Sequence, residues 1–373
     1  MTHDMTVSPR AALTSILVFV LIGATQALYG PALPSLSRQF GVSVSTAGLL
    51  ISAHSLGALL GVLSAVPLQG RPFARWRAGV AVALLGVGAA LLAVASSWSA
   101  ALLAALLIGL GYGAITVGLN SLFAAGFGPR SAAMVNLLNA LFGVGAVLGP
   151  LVVAAAPANA RLPFVVIAAS ALLLLPFAVA LDDRVASAPN TSRPRSPKGP
   201  LVGFIMLLAL GVGVEASSIG WNATYLVSLG KTPQAAASFT ALFFVLFTLG
   251  RLAAVPLSLR FAPPILVLVA LTLAMGLLLV AHVPSAAPYA LVALGGALAA
   301  VFPNTFTWAS RAVQARQDAT AVIVAGALLG STIFPAVVGR AVALFGERAI
   351  PTTLATLAAL TLTMALWMRW RTR

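Results

Sequence analysis

Six acidic residues occur in the chain, and five of them, Asp4, Asp182, Asp183, Asp318 and Glu347, fall at ends or in polar stretches. Glu215 alone sits deep inside a long apolar run. A carboxyl at that depth in a membrane is costly and points to a functional site. Glu215, Ser218, Asn222 and Tyr225 recur at i, i+3, i+7 and i+10, which is one face of a helix, and Trp221 borders it. Such a wall suits a hydroxyl-rich solute, since amides and carboxyls meet hydroxyl groups while rings pack on C–H faces. Tyr225 fits an interfacial aromatic belt equally well. A protonated carboxyl donates a hydrogen bond and an ionised one only accepts. Glu215 is therefore also the first candidate for proton coupling.

Other polar residues in apolar surroundings extend the set. Gln26 and Tyr29 share a face at i and i+3, followed by Pro31 and Pro34, which are expected to bend that helix. Tyr112, Thr116 and Asn120 recur at i, i+4 and i+8, and Asn136 and Asn139 at i and i+3. Asn304, Thr307 and Trp308 form a further group. Gln26, Tyr29, Tyr112, Thr116, Asn120, Asn136, Asn139, Ser218, Trp221, Asn222, Asn304 and Trp308 are the expected substrate-binding residues. The competing reading for each pair is an interhelical hydrogen bond. His54 is a second candidate for proton coupling, against the plainer reading of a satisfied packing histidine. No Lys or Arg is expected at the midplane, which argues against an anionic substrate. A cationic drug pairing with Glu215 stays open. The absence of a GxxxxGK[ST] sequence argues against direct use of ATP. With no cysteine there is no thiol chemistry or cysteine zinc site, and no cofactor or metal is expected.

The elements that must hold these residues follow from composition. Of 373 residues, 61% are hydrophobic and only 7% charged, against roughly 25% charged in soluble domains. Mean hydropathy is +1.07. A helical span needs about 20 apolar residues, so a dozen spans leave room only for short connections. A soluble enzyme, a nucleic-acid binder and a secreted disulfide scaffold are all disfavoured. The net charge of +15 is dispersed between apolar stretches rather than clustered. Twelve such stretches run from about residue 12 to about residue 369. With both ends cytoplasmic, sixteen basic residues lie inside and five outside, a strong positive-inside bias. The expectation is a multi-pass protein of the inner or plasma membrane with both termini cytoplasmic.

Residues 182–199, DDRVASAPNTSRPRSPKG, read as a flexible cytoplasmic linker. They separate bundle 1–181 from bundle 200–373. The halves repeat. LGVLSAVPLQGR (60–71) and LGRLAAVPLSLR (249–260) share eight of twelve residues at an offset of 189. GYGAITVGLN (111–120) aligns with GGALAAVFPN (295–304), Gly145 with Gly330, and Pro150 with Pro335.

Two parallel six-span repeats joined by such a linker resemble the major facilitator superfamily, over the whole chain. The fold implied is all-α, twelve transmembrane helices in two pseudo-symmetric six-helix bundles. The resemblance also implies alternating access and one substrate site near the midplane between the halves. The superfamily's signature between spans 2 and 3 appears as QGRPFARWR (69–77), with its basic residues but without its Asp. Arg71 there, and Arg251 at the inner end of span 8, are the expected gate residues. NLLNALFGVGAVLGP (136–150), EASSIGWNATYL (215–226) and FTLGR (247–251) are similar to the fucose/sugar permease branch. The acidic residues of that branch in spans 1 and 4 are replaced here by Gln26 and Thr116. Gly145, Gly149 and Pro150 partly match the antiporter signature of drug exporters.

The expected function is transport rather than catalysis: secondary active transport, such as proton symport, or facilitated transport of a neutral hydroxyl-rich solute such as a sugar. The alternative is a proton-driven efflux antiporter for amphipathic or cationic drugs. The expected partners are the small-molecule substrate, protons and the bilayer, with no nucleic acid, and the protein is expected to be a monomer.

Overall fold

The computed structural model describes residues 7–65, 74–127, 130–181, 198–312 and 317–372. Regular structure among them is helical throughout: α1 (Pro9–Phe40), α2 (Val44–Ala47), α3 (Leu49–Ala65), α4 (Ala74–Val94), α5 (Trp98–Gly126), α6 (Ser131–Ala155), α7 (Leu162–Val179), α8 (Lys198–Ser228), α9 (Pro233–Arg260), α10 (Pro263–Val280), α11 (Ala287–Leu298), α12 (Val301–Ala312), α13 (Gln317–Phe345) and α14 (Ile350–Arg371), with a short 3-10 turn at Glu347–Ala349. They make twelve membrane-length apolar spans. The second span consists of α2 and α3, and the tenth of α11 and α12. The chain is an all-α multi-pass membrane protein.

Local chemistry sets the helix ends. Ser8 caps α1 by accepting from the Ala11 amide at 3.2 Å, and Pro9 opens the helix where no amide donor is needed. α1 stays helical through Pro31 and Pro34 and stops at Gly41, whose φ of 63° places it in the left-handed region that glycine enters freely. Ser43 then caps α2, accepting from the Thr46 amide at 3.0 Å.

The chain divides into two compact units. One comprises Met1–Gly41 and Ala53–Thr191, the other Val42–Ser52 and Ser192–Arg373. The second unit thus takes in an eleven-residue stretch that sequence alone places with the N-terminal bundle. The reason is visible in side chains. The Ser45 hydroxyl donates to the Gly339 carbonyl on α13. Gly48 lies against the Trp221 indole on α8, and Ile51 against Gly220. Of the expected linker, residues 182–197 lie outside the described residues.

Inside each unit, small residues let helices approach closely. The α1–α6 pair is the most extensive contact of the first unit, and α8–α13 of the second. In the first pair a β-carbon on Gly145 would strike the Val20 carbonyl, and one on Gly23 the Phe142 carbonyl. In the second pair Gly330 stands in the same way against the Ala209 carbonyl. The aligned Gly145 and Gly330 therefore play matching packing roles. Gly57 against Leu106 joins α3 to α5, and Gly295 against Phe243 joins α11 to α9.

Candidate functional site

The polar side chains gather separately in each unit. In the first, the Tyr112 hydroxyl on α5 donates to Oε1 of Gln26 on α1. Behind this half-buried pair lies His54 of α3, its ring 5.1 Å from that of Tyr112 and 5.0 Å from that of Tyr29. Tyr29 and His54 are 2% and 5% exposed. Neither His54 ring nitrogen nor the Tyr29 hydroxyl has a hydrogen-bond partner. Buried polar atoms without partners are rare enough to need a reason.

A second cluster in the same unit joins α5 to α6. Asn139 Nδ2 donates to Asn120 Oδ1 at 3.1 Å and to the Val135 carbonyl at 2.9 Å. Asn120 donates in turn to the Thr116 carbonyl at 2.8 Å, and the Thr116 hydroxyl to the Tyr112 carbonyl at 2.8 Å. The side chain of Asn136 lies outside the described residues. Thr116 and Asn120 thus spend hydrogen-bonding capacity on their own helix, and Asn120 also on Asn139.

In the second unit, Glu215 of α8 is half-buried. Arg251 lies on α9, which packs against α8. Arg251 is itself half-buried, packs 4.4 Å from the centre of the Phe247 ring, and keeps its Nε buried and without a hydrogen-bond partner. Arg251 sits inside the span Pro233–Ser258, seven residues from its end. Arg71 lies outside the described residues.

The rest of the α8 face is less uniform than its spacing suggests. Asn222 is buried with Oδ1 unpartnered, so it retains an acceptor. Ser218 donates to the Val214 carbonyl at 2.8 Å, and Tyr225 to the Ala281 carbonyl at the end of α10, also at 2.8 Å. Trp221 is fully buried, donates to the Pro335 carbonyl at 3.0 Å, and packs against Gly48 and Gly339. Trp308 on α12 packs edge-on against Phe204, 5.2 Å between ring centres, and donates to the Thr372 hydroxyl at 3.2 Å.

One feature was not legible in the sequence. The tenth span breaks at Ala299–Ala300, between α11 and α12. Asn304 sits in the first turn of the second piece, and its side chain donates to the Ala300 carbonyl at 2.8 Å. Interrupted helices at membrane depth are tolerated where they face protein or a cavity. The signals were Gly295, Gly296 and Pro303.

Among the described residues are twelve membrane-length apolar helices, and both compact units bury neutral polar side chains. The chain belongs to the Major Facilitator Superfamily, whose family profile matches residues 15–221. An uncharacterised MFS-type transporter of Yersinia pestis is 25% identical over 265 residues, 67% of either chain. A single-site variant of the nucleoside transporter NupG has the same fold, with a TM-score of 0.80 and 14% identity over 96% of this chain and 99% of that one. So does a D-xylose–proton symporter, with a TM-score of 0.76 and 18% identity over 96% of each chain. The fucose–proton symporter of E. coli gives a TM-score of 0.64 and 19% identity over 98% of this chain and 99% of that one.

Proposed function

We propose that the protein carries a neutral, hydroxyl-rich solute such as a sugar by alternating access, with Glu215 as the proton-coupling residue. The observation that supports this reading is the make-up of the buried polar clusters. Amides and hydroxyls dominate them: Gln26, Tyr112, Asn120 and Asn139 in one unit, Asn222 and Asn304 in the other. The one carboxyl among them, Glu215, sits on α8, and Arg251 stands on α9, which packs against it. A cationic drug drawn to Glu215 would meet Arg251 as well, which weighs against the efflux alternative. Neutral hydroxyls lose nothing to that pair and gain from either member. The structural neighbours described as nucleoside, xylose and fucose carriers all handle hydroxylated rings.

Coupling follows from the same chemistry. A protonated Glu215 donates to a solute hydroxyl, and an ionised one turns to Arg251 instead. His54, with two unpartnered ring nitrogens in the other unit, stays the second candidate for proton coupling. The positive-inside pattern supports cytoplasmic termini in the inner membrane. In liposomes, Glu215→Gln should keep counterflow exchange of the solute and lose accumulation driven by a pH gradient. Accumulation that persists in Glu215→Gln would remove Glu215 from the coupling role. A wild type indifferent to pH would make the protein a uniporter and Glu215 a solute ligand.

A further inference from the structure

The second unit carries a pocket at the end where α12 and α14 finish and α10 begins. Its volume is about 430 Å³, within the roughly 300–1,000 Å³ usual for small-molecule sites. Arg311 from the last turn of α12 and Arg369 from the last turn of α14 both line it, with Trp308, Thr372 and Pro264 among the other walls. The wall is braced from within. The Trp308 indole donates to the Thr372 hydroxyl at 3.2 Å, and that hydroxyl donates to the Met368 carbonyl at 2.9 Å. Arg369 is therefore carried on a helix end that is tied to α12.

Both guanidiniums are available. Among the described residues neither makes an ion pair, a hydrogen bond or a ring contact, whereas Arg371 stacks over Trp367 and Trp370. The walls come from α10, α12, α14 and the residues that flank them, and none of these helices contains an acidic residue. Positive-inside bias places arginines at one end of the spans, and a cation in a last turn complements the helix dipole. Neither reason brings two arginines from different helices to one pocket. Like charges sharing a pocket without a countercharge repel each other, and an anion between them turns that repulsion into attraction. Pro263 and Pro264 open α10 and have no amide proton, so the guanidiniums and not the helix N-terminus are the donors. Each presents paired N–H groups that match the oxygens of phosphate or carboxylate. A carboxylate fills one such fork, whereas a phosphate has oxygens for two.

We infer that this pocket binds one phosphate group between Arg311 and Arg369, as a free phosphate anion or as the headgroup of an anionic lipid. The site is independent of which solute is carried and of how transport is coupled. The full-length protein in detergent is melted in about 10 mM inorganic phosphate, with chloride at equal ionic strength as the reference. Phosphate should raise the unfolding midpoint by about 2–4 °C. Arg311→Gln and Arg369→Gln should each remove most of that gain. Arg260→Gln takes a charge from the exposed end of α9 outside the pocket and should keep it. A parallel arm offers phosphatidylglycerol and phosphatidylcholine in equal amounts and counts retained lipid by native mass spectrometry. A midpoint gain lost in both pocket variants assigns the site to the free anion. A preference for phosphatidylglycerol lost in the same variants assigns it to the headgroup. A wild type with neither gain nor preference overturns the proposal. So does an effect that survives when Arg311→Gln and Arg369→Gln are combined, or one that Arg260→Gln removes equally, since diffuse surface charge would then be enough.

Discussion

The indole of Trp221 occupies the space that a β-carbon on Gly48 would need. The same ring reaches Gly339, and its Nε1 donates to the Pro335 carbonyl at 3.0 Å. One buried tryptophan thus holds α2 and the start of α3 against α8 and α13. Gly48→Ala forces a methyl into the ring, an overpacking that costs about 1–3 kcal/mol. The chain has no cysteine, so a single reporter is clean. Ala47 is fully buried, and Ala47→Cys should react slowly with a maleimide. Adding Gly48→Ala should raise that rate severalfold. An unchanged rate would mean the contact does not hold the segment in place.

Glu215 and Arg251 should behave as a coupled pair. Removing the cation alone leaves a carboxyl in a half-buried site without its opposite charge, and removing both relieves that. A double-mutant cycle of Glu215→Gln and Arg251→Gln on thermal stability should give an interaction of about 0.5–3 kcal/mol. Strict additivity would show that the two do not sense each other.

Gly145 and Gly330 should be equally intolerant of side chains. Gly145→Val and Gly330→Val would each drive a side chain into a neighbouring backbone carbonyl, which cannot yield as a side chain does. Both are expected to lower the yield of folded protein severely, as judged by monodisperse elution in detergent. Gly276→Ala is the control, since a β-carbon there meets nothing within 4 Å. It should leave elution unchanged and gain about 0.5–1 kcal/mol from helix propensity.

Trp308 is expected to act through packing. Trp308→Phe keeps an aromatic ring against Phe204 and loses only the bond to Thr372. Stability should fall by about 0.5–1.5 kcal/mol, with the transport KM unchanged. A KM raised tenfold at constant stability would return Trp308 to the solute.

Composition and periodicity were enough for the architecture, because lipid leaves a chain so few ways to satisfy its backbone. The repeat was legible for the same reason: Gly145 and Gly330 align because each meets a carbonyl that leaves no room for a β-carbon. Side-chain roles were harder to read. Spacing put Ser218, Trp221 and Tyr225 beside Glu215, yet their hydrogen bonds go to Val214, Pro335 and Ala281. A helical face records which residues are neighbours, and not which backbone carbonyls lie opposite. The break in the tenth span left only glycines and a proline as its trace, residues common throughout this chain.

That Val42–Ser52 packs with the second unit also bears on how the protein is made. The segment leaves the ribosome roughly 300 residues before the chain that will hold it is complete. At about 5–20 residues per second, that is a wait of about 15–60 s. For about the first 170 of those residues, until Trp221 is made, Gly48 has no indole to lie against. The N-terminal half, expressed alone, should therefore insert into the membrane yet leave this stretch open to protease, and supplying the second half in trans should protect it.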